Sequence, residues 1–166
     1  MYECKPISHD TVAGALAKAE RYRLLNEPSE AESICRDILA IEPNHQLAII
    51  SLVLTLTDQI ADDHRAFDQA LSAASRLSSS YDRAYYEGIA WERRAKARQQ
   101  SGGPGAGGYA HDWLVKALDL FGTAEQLRPP GNADAILRWN ACVRFLKRHP
   151  EIAPRLEEKP EPILSE

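Results

Sequence analysis

The sequence lacks the features that several protein classes require. Its three cysteines, Cys4, Cys35 and Cys142, are far apart and form no CxxC pair, so no disulfide framework is expected. The longest apolar run, residues 47–56, is about half of the roughly 20 residues that cross a bilayer. The first ten residues also lack the basic and apolar blocks of a signal peptide. We therefore expect a soluble, cytoplasmic protein without membrane insertion.

A surplus of positive charge is missing as well. Lysine and arginine number 20 against 24 aspartates and glutamates, which gives a formal net charge of −4. Proteins that bind nucleic acid normally carry a basic surface that neutralises phosphates. We therefore expect no nucleic-acid partner.

Patterns typical of catalysis, metal binding and cofactor binding are also absent. The five histidines lie mostly at predicted helix ends, and none pairs with Cys, Asp or Glu at metal-ligand spacing. The segment SGGPGAGGY, residues 101–109, lacks the GK[ST] ending of a phosphate-binding loop and predicts a flexible linker. No nucleophile is accompanied by a general base. We expect no enzyme activity, no metal and no cofactor.

The residues that are present favour helices. Alanine, leucine, glutamate and arginine are common, and strong strand signals with hairpin turns are missing. Breaks rich in proline, glycine or serine separate about seven candidate helices, at residues 10–25, 28–42, 44–60, 63–78, 81–100, 110–128 and 132–148. Residues 47–56 also fit a buried strand, but a lone strand would leave its backbone groups unpaired, so a helix is favoured.

Small residues recur in step along these helices. Three alternate helices share offsets of 0, 4, 7 and 12 residues, occupied by Ala31, Cys35, Ile38 and Pro43; by Ala66, Ala70, Ala73 and Ser78; and by Ala117, Phe121, Ala124 and Pro129. The other helices share offsets of 0, 4 and 7, occupied by Ala15, Ala19 and Tyr22; Ile49, Val53 and Leu56; Ala84, Gly88 and Trp91; and Ala135, Trp139 and Cys142.

This register resembles the tetratricopeptide repeat (TPR), a helix–turn–helix unit of 34 residues with small residues where its two helices cross. The resemblance covers residues 11–148 and implies an all-α, right-handed solenoid. It implies that Ala19 faces Ala31 and that Gly88 faces Ala117. The implied segments are a lead-in at 1–10, repeats at 11–43, 44–78 and 81–129 with an insert at 101–109, a capping helix at 132–148, and a mobile, acidic, proline-rich tail at 149–166.

In a TPR array, the first helix of each repeat lines a concave groove. Carried over to this chain, the resemblance implies a peptide-binding groove formed by Leu16, Glu20, Ile50, Leu54, Tyr85, Tyr86, Ile89, Arg93, Ile136, Leu137 and Asn140. Some TPR proteins bind a C-terminal carboxylate through Lys, Asn and Arg in the groove. The matching positions here are Leu16, Glu20, Ser51, Asp82 and Tyr86, so that clamp is not expected.

The mainly apolar groove predicts a non-catalytic interaction module that binds an apolar or amphipathic protein segment. An adaptor and a small chaperone similar to the three-repeat secretion chaperones both fit this pattern. One alternative is a structural homo-oligomer, such as a homodimer, whose groove is covered by the protein itself. Another is a binder of a small anionic ligand at the glycine-rich segment.

Two charged segments allow a further interpretation. Residues 92–100, ERRAKARQQ, place four cations at a predicted helix end, where they complement the helix dipole. An acidic partner or a phosphate beside the glycine-rich segment would use the same cations. The last residues, PILSE, are a candidate for docking into the groove of the same or a neighbouring molecule.

Overall fold

The computed structural model describes residues 2–155, and within that range the chain forms helices and no strand, which confirms the all-α prediction. A 3-10 turn, His9–Thr11, precedes the first α-helix. The helices are α1 (Val12–Leu24), α2 (Pro28–Ile41), α3 (Gln46–Asp58), α4 (Ala66–Ser75), α5 (Ser80–Ser101), α6 (Ala106–Leu127) and α7 (Asp134–Arg148). Seven helices in residues 2–155 match the predicted number.

Local side chains explain where several helices begin. Pro28 is the first residue of α2, where a backbone N–H has no acceptor within the helix, so the missing N–H of proline costs no hydrogen bond. The N-cap of α3 is His45, whose Nδ1 accepts the Ala48 N–H at 3.1 Å. Asn132 lies one residue before the N-cap of α7, and its Oδ1 accepts the Asp134 N–H at 2.8 Å. Side chains therefore satisfy backbone N–H groups at the start of both helices.

Packing between the helices follows chain order. Each helix contacts the next, and α3 also contacts α1 and α5. Consecutive helices therefore form hairpins, and α3 is surrounded by four others. This position explains the apolar run of α3, because Ile49, Val53 and Leu56 are fully buried.

Close approaches between helices occur near the predicted small residues, with one difference. Ala19 and Ala31 are both fully buried. At Gly88 the nearest obstacle is the Phe121 ring, since an added Cβ would lie 2.7 Å from Phe121 Cε1. Gly88 therefore makes room for an aromatic ring, whereas the sequence predicts that it makes room for Ala117.

The glycine-rich segment is shorter than predicted, because α6 begins at Ala106 and only residues 102–105 form a loop. Gly107 and Gly108 lie in the first turn of α6. An added Cβ at Gly107 would overlap the Glu151 carbonyl oxygen, and one at Gly108 would overlap the Arg155 side chain. These glycines allow a returning segment to lie against the helix.

That returning segment, residues 149–155, is named the C-terminal strap. Ile152 is buried against the α5–α6 pair, and Gln99 Nε2 donates to Glu151 Oε1 at 2.7 Å. Arg155 pairs with Asp112 on α6, its Nε lying 3.0 Å from Oδ2. Of the tail predicted to be mobile at 149–166, residues 149–155 therefore pack on the helices, and 156–166 lie outside the described residues.

Two observations bear on membranes and metals. Among the helices described, none combines the length and apolar character that crossing a membrane requires. The same residues contain no cluster of three His, Cys, Asp or Glu side chains suited to hold a metal ion.

Candidate peptide-binding surface

The eleven predicted groove residues lie on four helices. They are Leu16 and Glu20 on α1; Ile50 and Leu54 on α3; Tyr85, Tyr86, Ile89 and Arg93 on α5; and Ile136, Leu137 and Asn140 on α7. Helix α3 contacts both α1 and α5, so their predicted faces are neighbours. The surface that these residues and their neighbours form on α1, α3, α5 and α7 is named the inner surface.

Aromatic and aliphatic side chains meet at the centre of the inner surface. The rings of Tyr85 and Tyr86 pack edge to face with centroids 5.0 Å apart, and Tyr85 also contacts Phe121. Leu54 packs against the same hydrophobic cluster. Because both tyrosines and Leu54 are half-buried, they offer apolar area to a ligand while remaining fixed by their neighbours.

Burial corrects one predicted contact residue. Ile89 is 1% exposed and belongs to the hydrophobic core, because α6 covers the face of α5 on which it lies. It therefore supports the inner surface from beneath and is removed from the set that touches a ligand. Ile50 is half-buried against the first hydrophobic cluster, so the apolar character of α3 serves packing more than the sequence predicts.

Exposure is greatest at the α7 edge of the inner surface. Leu137 is 62% exposed, which leaves most of its side chain free to contact a partner. A cleft of about 320 Å³ lies beside it and is lined by Tyr85, Asp134, Leu137, Arg138 and Ala141. The cleft thus combines an aromatic ring, an exposed leucine, a carboxylate and a guanidinium.

Charged side chains connect the helices at the other end of the inner surface. Asp58 on α3 accepts from Arg23 Nε on α1 at 2.8 Å and from Arg93 Nη1 on α5 at 3.2 Å. Glu92, fully buried, lies 2.5 Å from Lys96 Nζ and 3.4 Å from Arg138 Nη1. Four cations therefore surround two carboxylates, which leaves this end with a net positive charge.

A second cleft opens among these cations. It measures about 360 Å³, and Asp58, Arg93, Lys96 and Arg138 are among its lining residues. Arg138 lines both clefts, so it stands between the apolar end and the cationic end of the inner surface. A bound segment that spans the two clefts would contact Leu137 at one end and Lys96 at the other.

Burial and nearby charges set the protonation of this region. Burial raises the pKa of Tyr86 to about 12, with the Asp82 carboxylate adding to the effect. Burial opposes the charge of Arg138, but the Glu92 carboxylate and the Tyr85 hydroxyl outweigh that effect, so the pKa of Arg138 is raised. At neutral pH Tyr86 is an uncharged hydroxyl, and Arg138 is a cation.

The glycine-rich loop differs from an anion-binding loop. Arg98 Nη1 donates to the Gly102 carbonyl at 2.8 Å, and its Nη2 donates to the Pro104 carbonyl at 3.0 Å. Gly102, Gly103 and Gly105 have positive φ values, which glycine adopts without strain. The loop thus turns carbonyl oxygens toward a cation, whereas an anion requires converging N–H groups.

Several residues of the inner surface escape prediction. Lys96 and Arg138 come together only because α7 returns beside α5, which no local pattern shows. The pairing of Asp58 with Arg23 and Arg93 does have a signal in the sequence, because these three residues follow one another at intervals of 35 residues. That interval is close to the 34-residue period of the repeat that the sequence resembles.

The inner surface offers guanidinium and ammonium donors beside aromatic and aliphatic side chains. These groups suit the binding of a peptide that carries both acidic and apolar side chains. Comparison with family models, curated proteins and solved structures finds no match to this chain.

Proposed function

We propose that this chain is a TPR-like interaction module without catalytic activity that binds a protein segment on its inner surface. The observation that carries the proposal is the position of Arg138 between two clefts, one beside exposed Leu137 and the other beside Arg93 and Lys96. Tyrosine, arginine and exposed aliphatic side chains are typical of binding hot spots and interface cores.

The ligand that fits this surface is an amphipathic segment with an acidic end. Its apolar side chains would contact Tyr85 and Leu137, and its carboxylates would contact Arg93, Lys96 and Arg138. Charge-assisted hydrogen bonds from Arg to a carboxylate are about twice as strong as neutral ones, so they give direction to an otherwise apolar contact. The proposal thereby adds an acidic requirement to the apolar or amphipathic ligand that the sequence predicts.

The cellular compartment that fits is the cytoplasm. In the described part of the chain, Cys4, Cys35 and Cys142 are all free thiols. Unpaired thiols are usual in reducing compartments. This supports the proposal of a cytoplasmic module, which fractionation of cells that contain the tagged protein would test.

A displayed library of random peptides tests the proposed function. Selection on the wild-type chain should enrich peptides that combine aliphatic or aromatic residues with Asp or Glu. The variant Leu137→Glu should weaken the selected peptides at least about tenfold, because a carboxylate would replace an apolar contact of roughly 1.4 kcal/mol or more. Isothermal titration calorimetry of synthetic peptides gives the affinities.

Leu127→Glu is the matched control for that experiment. Leu127 is 48% exposed at the end of α6, a helix that contributes no residue to the inner surface, and it lines neither cleft, so its replacement should leave peptide affinity unchanged. Equal effects of the two substitutions would contradict binding at the inner surface. A dimer that dissociates in Leu137→Glu, seen by light scattering, would instead favour the structural homo-oligomer.

A further inference from the structure

A second cationic cleft lies between α4, α5 and α6, and it shares Ile60, Ala61 and Ala97 with the cationic cleft of the inner surface. Its centre is the Arg94 guanidinium, whose carbon lies 4.1 Å from the Phe67 ring centroid and 4.2 Å from that of Trp113. The two aromatic rings hold the planar group in place. Their contacts leave its N–H groups available in the cleft.

Arg94 differs from the arginines of the inner surface in its partners. Arg23, Arg93 and Arg138 each pair with a carboxylate. Among residues 2–155, no carboxylate oxygen lies within 4.0 Å of an Arg94 guanidinium nitrogen, and the guanidinium donates no hydrogen bond. It is therefore a preorganised cation without an acceptor among the described residues.

The surroundings of Arg94 form a small anion-sized cleft. Its volume is about 240 Å³, and its polar lining consists of Arg94, Arg98, His64, Ser101 and the carboxylate of Asp68. Arg98 is bound to backbone carbonyls and has no carboxylate partner within the described chain, so its charge is not neutralised. Two guanidinium groups against one carboxylate leave the cleft with a surplus of one positive charge.

The described part of the chain ends beside this cleft. The Arg155 guanidinium carbon lies 4.5 Å from the Tyr109 ring centroid, and that ring lies 5.9 Å from the Trp113 ring. Trp113 is also a wall of the cleft. The strap thus ends beside a wall of the cleft, and the sequence continues from there with LEEKPE.

We propose that this cleft binds an acidic peptide segment, and that its occupant is residues 157–161 of the same chain, with Glu157 and Glu158 contacting Arg94 and Arg98. Three extended residues span at most about 10 Å. The Tyr109 ring centroid lies 4.5 Å from the guanidinium carbon of Arg155 and 5.7 Å from that of Arg98, so the chain end lies close to the cationic groups of the cleft. One exposed ion pair contributes roughly 0–1 kcal/mol, too little to hold a free peptide. Because the strap tethers the segment, its binding is intramolecular, and two such pairs would together favour the bound state by up to roughly 2 kcal/mol.

The test measures backbone order in the full chain by ¹⁵N relaxation. With residues 157–158 in the cleft, their order parameters should be close to the value of about 0.85 for rigid backbone. In Arg94→Glu they should fall below about 0.6, because like charges would expel the segment. Arg144→Glu, the same charge change at an exposed position of α7 away from the cleft, should leave them unchanged.

A charge swap separates a direct contact from a general effect on folding. Glu157→Lys with Glu158→Lys should release the segment and shift the Trp113 indole N–H signal. Combining these changes with Arg94→Glu should restore both readouts. The two tail substitutions lie outside residues 2–155, so they remain informative if Arg94→Glu disturbs the packing of Phe67 and Trp113.

Two results would overturn the proposal. One is an unchanged Trp113 signal and unchanged order parameters after the two tail substitutions. The other is a loss of order on tenfold dilution, which would assign the occupant to a second copy of the chain. Asp68→Asn removes the carboxylate that lines the cleft. In this variant the order parameters of residues 157–158 should therefore stay high up to a higher salt concentration than in wild type.

Discussion

Arg138 on α7 reaches the fully buried carboxylate of Glu92 on α5, with 3.4 Å between Nη1 and Oε2. Lys96, one turn further along α5, supplies a second cation at 2.5 Å. Since α7 packs chiefly on α6, this pair is a direct link between α7 and α5. A buried carboxylate held by cations from two helices gives the inner surface a fixed charge pattern.

Replacing Arg138 by Met should lower the free energy of unfolding by about 1–3 kcal/mol. The reason is that Glu92 would keep only one of its two cations, and a buried charge without full compensation is costly. Urea unfolding followed by circular dichroism measures the change. Arg144→Met, at an exposed position of α7, should stay within about 0.5 kcal/mol of wild type. A double variant that adds Glu92→Gln should recover part of the loss, and no recovery would contradict the assigned pairing.

Gly88→Ala should destabilise the fold by about 1–3 kcal/mol, because its methyl group would overlap the fully buried Phe121 ring. The comparison is Gly14→Ala on α1, where an added Cβ meets nothing within 4 Å. That change should stabilise by roughly 0.5–1 kcal/mol, since alanine favours the helix over glycine. Thermal unfolding of both variants gives the two signs, and equal signs would be inconsistent with the close contact at Gly88.

Gly107→Ala should loosen the C-terminal strap without unfolding the helices. Its Cβ would overlap the Glu151 carbonyl, and backbone cannot move aside as a flexible side chain can. Hydrogen exchange at the Ile152 amide, which donates to the His149 carbonyl at 2.9 Å, should accelerate about tenfold for each 1.4 kcal/mol of lost local stability. In Gly122→Ala, whose Cβ would make an ordinary 3.5 Å contact with Trp139, the same amide should exchange at the wild-type rate.

Alkaline conditions should destabilise the fold between about pH 9 and pH 12. Burial, with a contribution from the Glu92 carboxylate, raises the pKa of Cys142 from its ordinary 9.0 to about 12. In this range the unfolded state loses a proton that the folded state keeps, so stability falls as pH rises, by about 1.4 kcal/mol per pH unit for one such group. Urea unfolding at several pH values in this range gives the slope of the free energy of unfolding against pH. In Cys142→Ala this slope should be smaller by the contribution of about one proton. An identical slope in the variant and the wild type would contradict a buried thiol.

Helix number and the core faces of the helices could be predicted because local chemistry determines them. Ala19, Ala31, Ile49 and Val53 are buried where the recurring register places them. Breaks rich in proline, glycine or serine predict the number of helices in residues 2–155, although α6 begins inside the predicted glycine-rich linker. The TPR resemblance and its right-handed solenoid stay predictions, since contacts between neighbouring helices alone do not distinguish that arrangement.

Prediction was weakest where distant segments meet. Helix α6 begins earlier than expected because the strap occupies the space beside Gly107, and nothing near the glycines indicates that return. The sequence predicts that Ile89 faces a ligand, but α6 covers it. The pairing of Arg138 with Glu92 depends on residues 46 positions apart. Each of these contacts is set by tertiary packing, which overrides what a helical register alone suggests.

Asp58 holds arginines from the first and third helical pairs while belonging to the second. In a chain whose helices touch mainly their sequence neighbours, melting tends to start at one end and spread. The Asp58 carboxylate works against such fraying, because unfolding of either end breaks one of its two ion pairs, with Arg23 or with Arg93. Neutralising that single carboxylate would therefore split one cooperative transition into separate steps, visible as a broadened unfolding curve.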